Sequence, residues 1–113
     1  MPNDCFNKIT IRGYENAITT LLANGLHLNN HYEWSIDSKG SRGVMLNIMT
    51  SWEPPFEHFE YLIEKYKIWL KCEWYEEGGI AGLFLGYWDE DKINLKELVW
   101  EDWCVEDYET YFR

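Results

Sequence analysis

Two adjacent glycines, Gly78 and Gly79, stand between two strongly apolar stretches, and this arrangement limits the folds open to the chain. In the first stretch, 67–75, apolar side chains recur at every second position, as in a strand with one buried face. The second stretch, 80–88, is apolar almost throughout. Because glycine tolerates positive φ, the pair favours a tight turn. The sequence therefore predicts an antiparallel hairpin here.

The residues before this hairpin alternate between strand and helix patterns. Alternating apolar residues predict strands at 5–12, 31–36 and 43–50, the last two joined by a polar hairpin loop. Apolar residues at helical spacing predict helices at 15–26 and 56–66. The predicted order up to residue 75 is strand, helix, strand, strand, helix, strand.

This order predicts an α+β fold, the ferredoxin-like β-α-β-β-α-β plait, with an extra antiparallel strand after it. Two right-handed crossovers would place both helices on one face of the sheet. A chain of 113 residues has the length of a single domain, with the plait in 1–88 and an extension in 89–113. From Trp100 onward, aromatic and acidic residues separate on a helical wheel, which predicts a C-terminal acidic-aromatic helix.

Charge is distributed unevenly along the sequence. The net charge is −10; residues 1–71 contain eight acids and seven bases, and residues 72–113 contain twelve acids and three bases. A strongly acidic segment repels phosphates and attracts cationic surfaces. We therefore expect a basic host protein surface as partner and no direct contact with nucleic acid.

The cysteines and the chain start indicate a reducing compartment. Cys5, Cys72 and Cys104 are odd in number and widely spaced, which favours buried free thiols over disulfides or a zinc site. The first residues show no secretory signal pattern, and no apolar run is long enough to span a membrane. We expect a cytoplasmic protein of the host cell, without cofactors.

Three motifs resemble one known family. The opening Met-Pro-Asn-x-Cys-x-Asn-x-Ile-x-Ile-x-Gly (1–13), the Trp-Glu-Pro-Pro of 52–55, and the acidic-aromatic 72–79 followed by Ala81-Gly82 are similar to the YubB-type family of small phage- and plasmid-encoded proteins. The resemblance covers about 1–88. It implies a ferredoxin-like domain from a mobile genetic element, and the family has no settled activity to carry over.

Possible catalytic and metal-binding residues lack the required spacing. Ser35, His31 and Asp37 could compose a triad, but no nucleophile elbow or oxyanion hole accompanies them. His27 and His31 are four apart in a predicted loop rather than on a helix. The acids of 89–91 lack further ligands at calcium-loop spacing. We predict a non-enzymatic protein.

Aromatic and acidic residues occur together in two segments that could bind a basic partner. Acids at helical spacing imitate a row of phosphates, and neighbouring aromatic residues serve as interface anchors. A small, acidic, mobile-element protein of this kind suits an inhibitor of anti-CRISPR or anti-restriction type. The predicted partner-binding residues are Glu73, Tyr75, Glu76, Glu77, Asp102, Trp103, Glu106, Asp107, Tyr108 and Glu109.

Two alternatives remain open. The loop at 39–43 combines glycines with bases, so Lys39 and Arg42, with Trp69 as a stacking surface, could bind a nucleotide or another small anion. The chain is also rich in aromatic residues, and some of them could cover a homodimer interface.

Overall fold

The computed structural model describes residues 3–28 and 33–101 of the chain. Strands supply more than half of this part, and two α-helices interrupt them. The elements are β1 (Asp4–Arg12), α1 (Glu15–Ala23), a short 3-10 turn (Gly25–His27), β2 (Glu33–Gly40), β3 (Gly43–Ser51), α2 (Phe56–Tyr66), β4 (Trp69–Glu76), β5 (Ile80–Asp89) and β6 (Lys92–Glu101).

All six strands of the described residues belong to one antiparallel sheet with the order β2-β3-β1-β4-β5-β6. The first strand in sequence, β1, lies in the interior of the sheet. Its Ile9 is opposite Leu46 of β3 and Cys72 of β4. The last three strands form a meander, in which β5 pairs with β4 and β6 pairs with β5.

The hydrophobic core lies on one face of the sheet, beneath both helices. Alternate residues of β1, β3 and β4 are buried there, as the period of two in a strand requires. Ile18 and Leu21 of α1, and Phe59 and Ile63 of α2, complete the same cluster. Neither helix in the described part of the chain is long and apolar enough to cross a membrane.

Two glycines of β5 allow close contact with other side chains, Gly82 with Trp74 of β4 and Gly86 with Ile63 of α2. A Cβ atom at Gly82 would lie 2.5 Å from the ring of Trp74, and one at Gly86 would lie 2.5 Å from Cδ1 of Ile63. Both distances are far below van der Waals contact. At Gly82 the close atoms also include the backbone oxygen of Leu98, so glycine is required there by space, whereas at Gly86 the close atom is the end of a flexible side chain. The apolar run 80–88 thus forms a strand despite glycine's low strand propensity.

The predicted ferredoxin-like plait with one added strand is wrong. The structure is a mostly β, six-stranded antiparallel sheet with two helices, and it differs from a β-α-β-β-α-β plait. The prediction gave weight to the early alternation of strand and helix. It neglected 92–101, which extends the sheet by a full ten-residue strand.

The C-terminal prediction is also wrong at its start. Trp100 and Glu101 belong to β6 rather than to a helix. The sequence did not predict this strand because its apolar and polar residues do not alternate cleanly. The edge position permits this pattern, since Leu95, Leu98 and Val99 are all exposed. The rest of the predicted acidic-aromatic helix, 102–113, lies outside the described residues.

Candidate functional site

A groove of about 690 Å³ lies at the end of the sheet where β1 ends and β4 begins. It combines cationic and aromatic side chains from four separate parts of the chain. We call it the basic-aromatic groove. Its lining consists of Arg12, Gly13, Tyr14, Arg42, Lys67, Ile68, Trp69, Tyr87 and Trp88.

Strand pairing explains why these distant residues meet. Arg12 of β1 is directly opposite Trp69 of β4, and Trp69 is in turn opposite Tyr87 of β5. These three side chains share the sheet face that carries no helix, because directly paired residues project to the same side. The backbone N–H of Gly13 donates to the carbonyl of Arg42 at 3.1 Å, which fixes the β2–β3 turn beside them.

Lys67 enters the groove from the end of α2 in a left-handed conformation. Its φ is 54°, and its backbone N–H donates to the carbonyl of Ile63, so it ends the helix where glycine is the usual residue. Its ammonium donates to the carbonyl of Glu64 and lies 3.6 Å from the centroid of the Trp88 ring. A residue other than glycine in this conformation costs about 1–2 kcal/mol, so Lys67 is held here at an energetic cost.

The local charge of the groove is opposite to that of the chain. Three cationic side chains line it, and no acidic one does among the residues that the structure describes. The whole chain has a net charge of −10. Four aromatic side chains, including the highly exposed Tyr14, complete the lining. This combination is suited to an anion that also carries a planar ring.

The structure brings together two of the three residues predicted to bind a small ligand. Arg42 and Trp69 both line the basic-aromatic groove, whereas Lys39 is exposed on β2 and does not. Sequence reasoning missed Arg12, Lys67 and Trp88. Nothing in their spacing links them. The pairing of β1 with β4 and of β4 with β5 brings Arg12 to this end of the sheet, and Lys67 reaches the Trp88 ring from the end of α2.

The three predicted partner-binding carboxylates of β4 and the turn after it, Glu73, Glu76 and Glu77, are mostly buried. Glu73 is 8% exposed and pairs with Lys71 at 3.0 Å, while its Oε2 atom has no hydrogen-bond partner among the described residues. Glu76 is also buried and accepts from the backbone N–H of Gly78 at 2.9 Å. Of these three carboxylates, Glu77 alone is exposed.

Tyr75, predicted beside these acids, is half-buried and stacks on Phe6 with ring centroids 4.9 Å apart. The remaining predicted partner-binding residues cannot be placed, because they lie outside the described part of the chain. These are Asp102, Trp103, Glu106, Asp107, Tyr108 and Glu109. The predicted carboxylate-aromatic surface is thus reduced, within the described residues, to Tyr75 and Glu77.

A second groove, of about 520 Å³, lies at the opposite end of the sheet. Asp4, Glu33 and Glu53 line it, and no cationic residue does among those that the structure describes. We call it the acidic groove. Trp52 adjoins Glu53 and is exposed, with a φ of 70° and its backbone N–H donating to the carbonyl of Asn3.

The histidines that the structure describes make internal contacts. His27 is hydrogen-bonded to the hydroxyl of Tyr66, and Nε2 of His58 lies 2.8 Å from the carbonyl oxygen of Leu26. His31 lies outside the described residues. Within the described residues, no group of three or more metal-ligating side chains is present.

The two cysteines in the described part of the chain, Cys5 and Cys72, are fully buried beside Asn7. Burial raises the pKa of Cys5 to about 12, partly offset by a hydrogen bond with Thr50. Burial likewise raises the pKa of Cys72 well above its usual value. Since the thiolate is the reactive form, both side chains act as small core residues.

No family model, no curated protein and no solved structure matches this chain. The resemblance to the YubB-type family therefore remains a prediction from its motifs.

Proposed function

We propose that this protein is a binding module for a nucleotide-like ligand, which is an anion joined to a planar ring. The observation that carries the proposal is the composition of the basic-aromatic groove. Although the chain has a net charge of −10, three cationic side chains and four aromatic rings line this one groove, and no acid does among the described residues.

The groove offers separate contacts for the two parts of such a ligand. The guanidinium groups of Arg12 and Arg42 can each bind phosphate oxygens through two parallel N–H bonds. The rings of Trp69 and Tyr87 belong to adjacent strands and lie side by side on the open sheet face, where a base can stack. The Lys67 ammonium adds a third positive charge, already held against the Trp88 ring.

Calorimetric titration with nucleoside monophosphates, compared with the matching nucleosides and with inorganic phosphate, tests this proposal. We expect the nucleotides to bind best, because they alone use both parts of the groove. The same nucleotides should raise the melting temperature, since a ligand at 100 times its Kd stabilises the folded state by about 2.7 kcal/mol.

The chain supplies a matched pair of variants for this test. Arg42→Ala removes a groove cation, and we expect it to weaken nucleotide binding about tenfold or more. Lys39→Ala removes an equal charge three residues earlier in the sequence, from a side chain that does not line the groove. Its nucleotide affinity should stay within about twofold of that of the unchanged protein. Equal losses in both variants, or no binding of any nucleotide, would refute the proposal.

A second proposal is favoured by the surface of α2. Glu57 and Glu64 are exposed on this helix, with the exposed ring of Tyr61 between them in sequence. The helix also carries one exposed base, Lys65, whose ammonium lies 5.9 Å from the centroid of the Tyr61 ring. An acidic helix with an aromatic anchor suits a cationic protein surface, as expected of a phage or plasmid protein that blocks a host defence or nucleic-acid-processing protein.

Pull-down from host lysate at a series of salt concentrations tests this second proposal. A basic partner should be retained at low salt and released as salt screens the contact. Glu57→Gln with Glu64→Gln should reduce retention, while Glu15→Gln, which changes an exposed acid on α1, should not. Failure to retain any basic protein at low salt argues against a blocking role.

A further inference from the structure

We infer that the ligand of the basic-aromatic groove is a single-stranded nucleic acid that continues along the open sheet face beside β1 and β4. This inference rests on the proposed function, because it starts from nucleotide binding in that groove. It adds a second contact site and predicts that binding depends on ligand length.

The second site is a groove of about 510 Å³ farther along the same sheet face. Phe6, Lys8 and Tyr75 line it, together with polar side chains that include Ser35 and Asn47 and with one acid, Glu33. Phe6 and Tyr75 stack on one another across the β1–β4 pair. An aromatic surface therefore stands at each end of this pair of strands.

The two aromatic sites are joined by a column of cross-strand pairs. From the basic-aromatic groove the pairs are Arg12 with Trp69, Thr10 with Lys71, Lys8 with Glu73, and Phe6 with Tyr75. Six residues of strand separate the first pair from the last, which is about 20 Å at the usual rise. One nucleotide cannot bridge that distance, whereas an oligonucleotide can.

The column has the composition of surfaces that bind single strands. Such surfaces alternate cations, which hold the backbone, with aromatic rings, on which bases stack without sequence preference. Lys8 and Lys71 lie between the two aromatic sites. The one acid of the column, Glu73, is buried and ion-paired with Lys71, so these two charges offset one another and the net charge between the two aromatic sites is that of Lys8.

The acidic net charge of the chain does not exclude this binding. The acids of α2 and Glu15 of α1 lie on the helix layer, on the other side of the sheet from the column. Asp4 and Asp89 belong to the open face but stand at its margins. Glu33 lines the second site from β2, two strands away from Phe6 of the column, and Asp37 of the same strand accepts a hydrogen bond from Asn47 at 2.6 Å. At physiological salt the Debye length is about 8 Å, so charges beyond the column are largely screened.

Fluorescence anisotropy with labelled oligothymidylates, from two to about ten nucleotides long, tests the inference on the full chain. Thymidine monophosphate serves as the single-site reference. We expect affinity to rise steeply until the strand spans both aromatic sites and then to level off, because single-strand sites of this kind cover about four or more nucleotides.

Variants along the column separate the second site from the first. Lys8→Gln should weaken binding of the long oligonucleotide about three- to tenfold. The negative slope of log K against log salt should become shallower by roughly 0.7, the value for one phosphate contact. Lys96→Gln, on the same face of β6 but off the column, is the matched control. Phe6→Leu, which keeps an apolar side chain, should cost the long strand about fivefold or more and leave the monophosphate unaffected.

The outcomes distinguish this inference from the proposed function. If the monophosphate binds and affinity shows no dependence on length, the inference is overturned and the nucleotide-binding proposal stands. If neither the monophosphate nor any oligonucleotide binds, both are overturned. A glutamate homopeptide that binds as tightly as the oligonucleotide would overturn the inference as well, since bases would then contribute nothing.

Discussion

The two ends of the sheet have grooves of similar size and opposite chemistry. The basic-aromatic groove gathers Arg12, Arg42 and Lys67, while the acidic groove gathers Asp4, Glu33 and Glu53. In sequence these residues interleave, and no segment is wholly basic. Antiparallel pairing sends the end of β1 and the beginnings of β3 and β4 to one end of the sheet, and this separates the charges in space.

The two grooves differ in charge although their residues alternate along the sequence, so the net charge of a segment does not predict the charge of the surface that it forms. The sequence placed most acids after residue 72 and predicted an acidic surface there. In the structure, Glu73 and Glu76 of this region are buried, and Trp88, also of this region, lines the basic-aromatic groove. The strand register decides which charges a ligand meets.

Reversing charges at the two ends should give the largest effect. Arg12→Glu with Arg42→Glu removes two charge-assisted contacts of about 1.5–3 kcal/mol each, so nucleotide affinity should fall by about 100-fold or more. The mirror variant, Glu33→Lys with Glu53→Lys, changes charge at the acidic groove and should alter affinity less than about twofold. Calorimetric titration measures both.

This comparison fails if the two double variants behave alike. Nearly equal changes in affinity would mean that the ligand responds to net charge, and the basic-aromatic groove would then have no special role. Circular dichroism of each variant checks that the fold is retained. All four substituted side chains are exposed, so we expect no large change in stability.

A tryptophan at each end provides a test of stacking, with a smaller expected effect. Trp69→Leu should weaken nucleotide binding about tenfold, because stacking a base on an aromatic ring contributes about 1–3 kcal/mol. Trp52→Leu, beside the acidic groove, should leave affinity unchanged. The nucleotide should quench tryptophan fluorescence less in Trp69→Leu than in the unchanged protein, and the quenching should persist in Trp52→Leu.

Both ends also contain a residue in the left-handed conformation, and here we expect the smallest effect. Trp52→Gly should raise the free energy of unfolding by up to about 1 kcal/mol, since glycine adopts its φ of 70° without strain. Lys67→Gly should gain less, because it also loses the contacts with Glu64 and Trp88. Urea unfolding measures both changes. A loss of stability in Trp52→Gly would show that the packing of the Trp52 indole stabilises the fold by more than its backbone conformation costs.

Much of the secondary structure could be predicted from the sequence, because burial on one face leaves a visible period. Cys5, Ile9 and Ile11 alternate as a strand should, and β1 covers them. Gly78 and Gly79 do form the turn between β4 and β5. The edge strand β6 has no such period, so the architecture was predicted wrongly where the sheet continues beyond β5.

The candidate site was only partly predictable for a different reason. Arg42 and Trp69 were proposed as ligand contacts on chemical grounds, and the structure places both in one groove. Arg12 and Lys67 could not be added, since their proximity depends on which strands pair and in what register. Burial of Glu73 on the open sheet face was equally invisible, because a glutamate in a strand beside a turn is usually solvated.

The interior position of β1 has a consequence for how this protein folds. The strand made first must pair with β3 on one side and β4 on the other, and β4 ends only at Glu76. During synthesis, β1 therefore has an unsatisfied edge until β4, which begins only at Trp69, has also left the ribosome. Such long-range pairing slows folding, and the half-built sheet exposes an aggregation-prone edge during that interval.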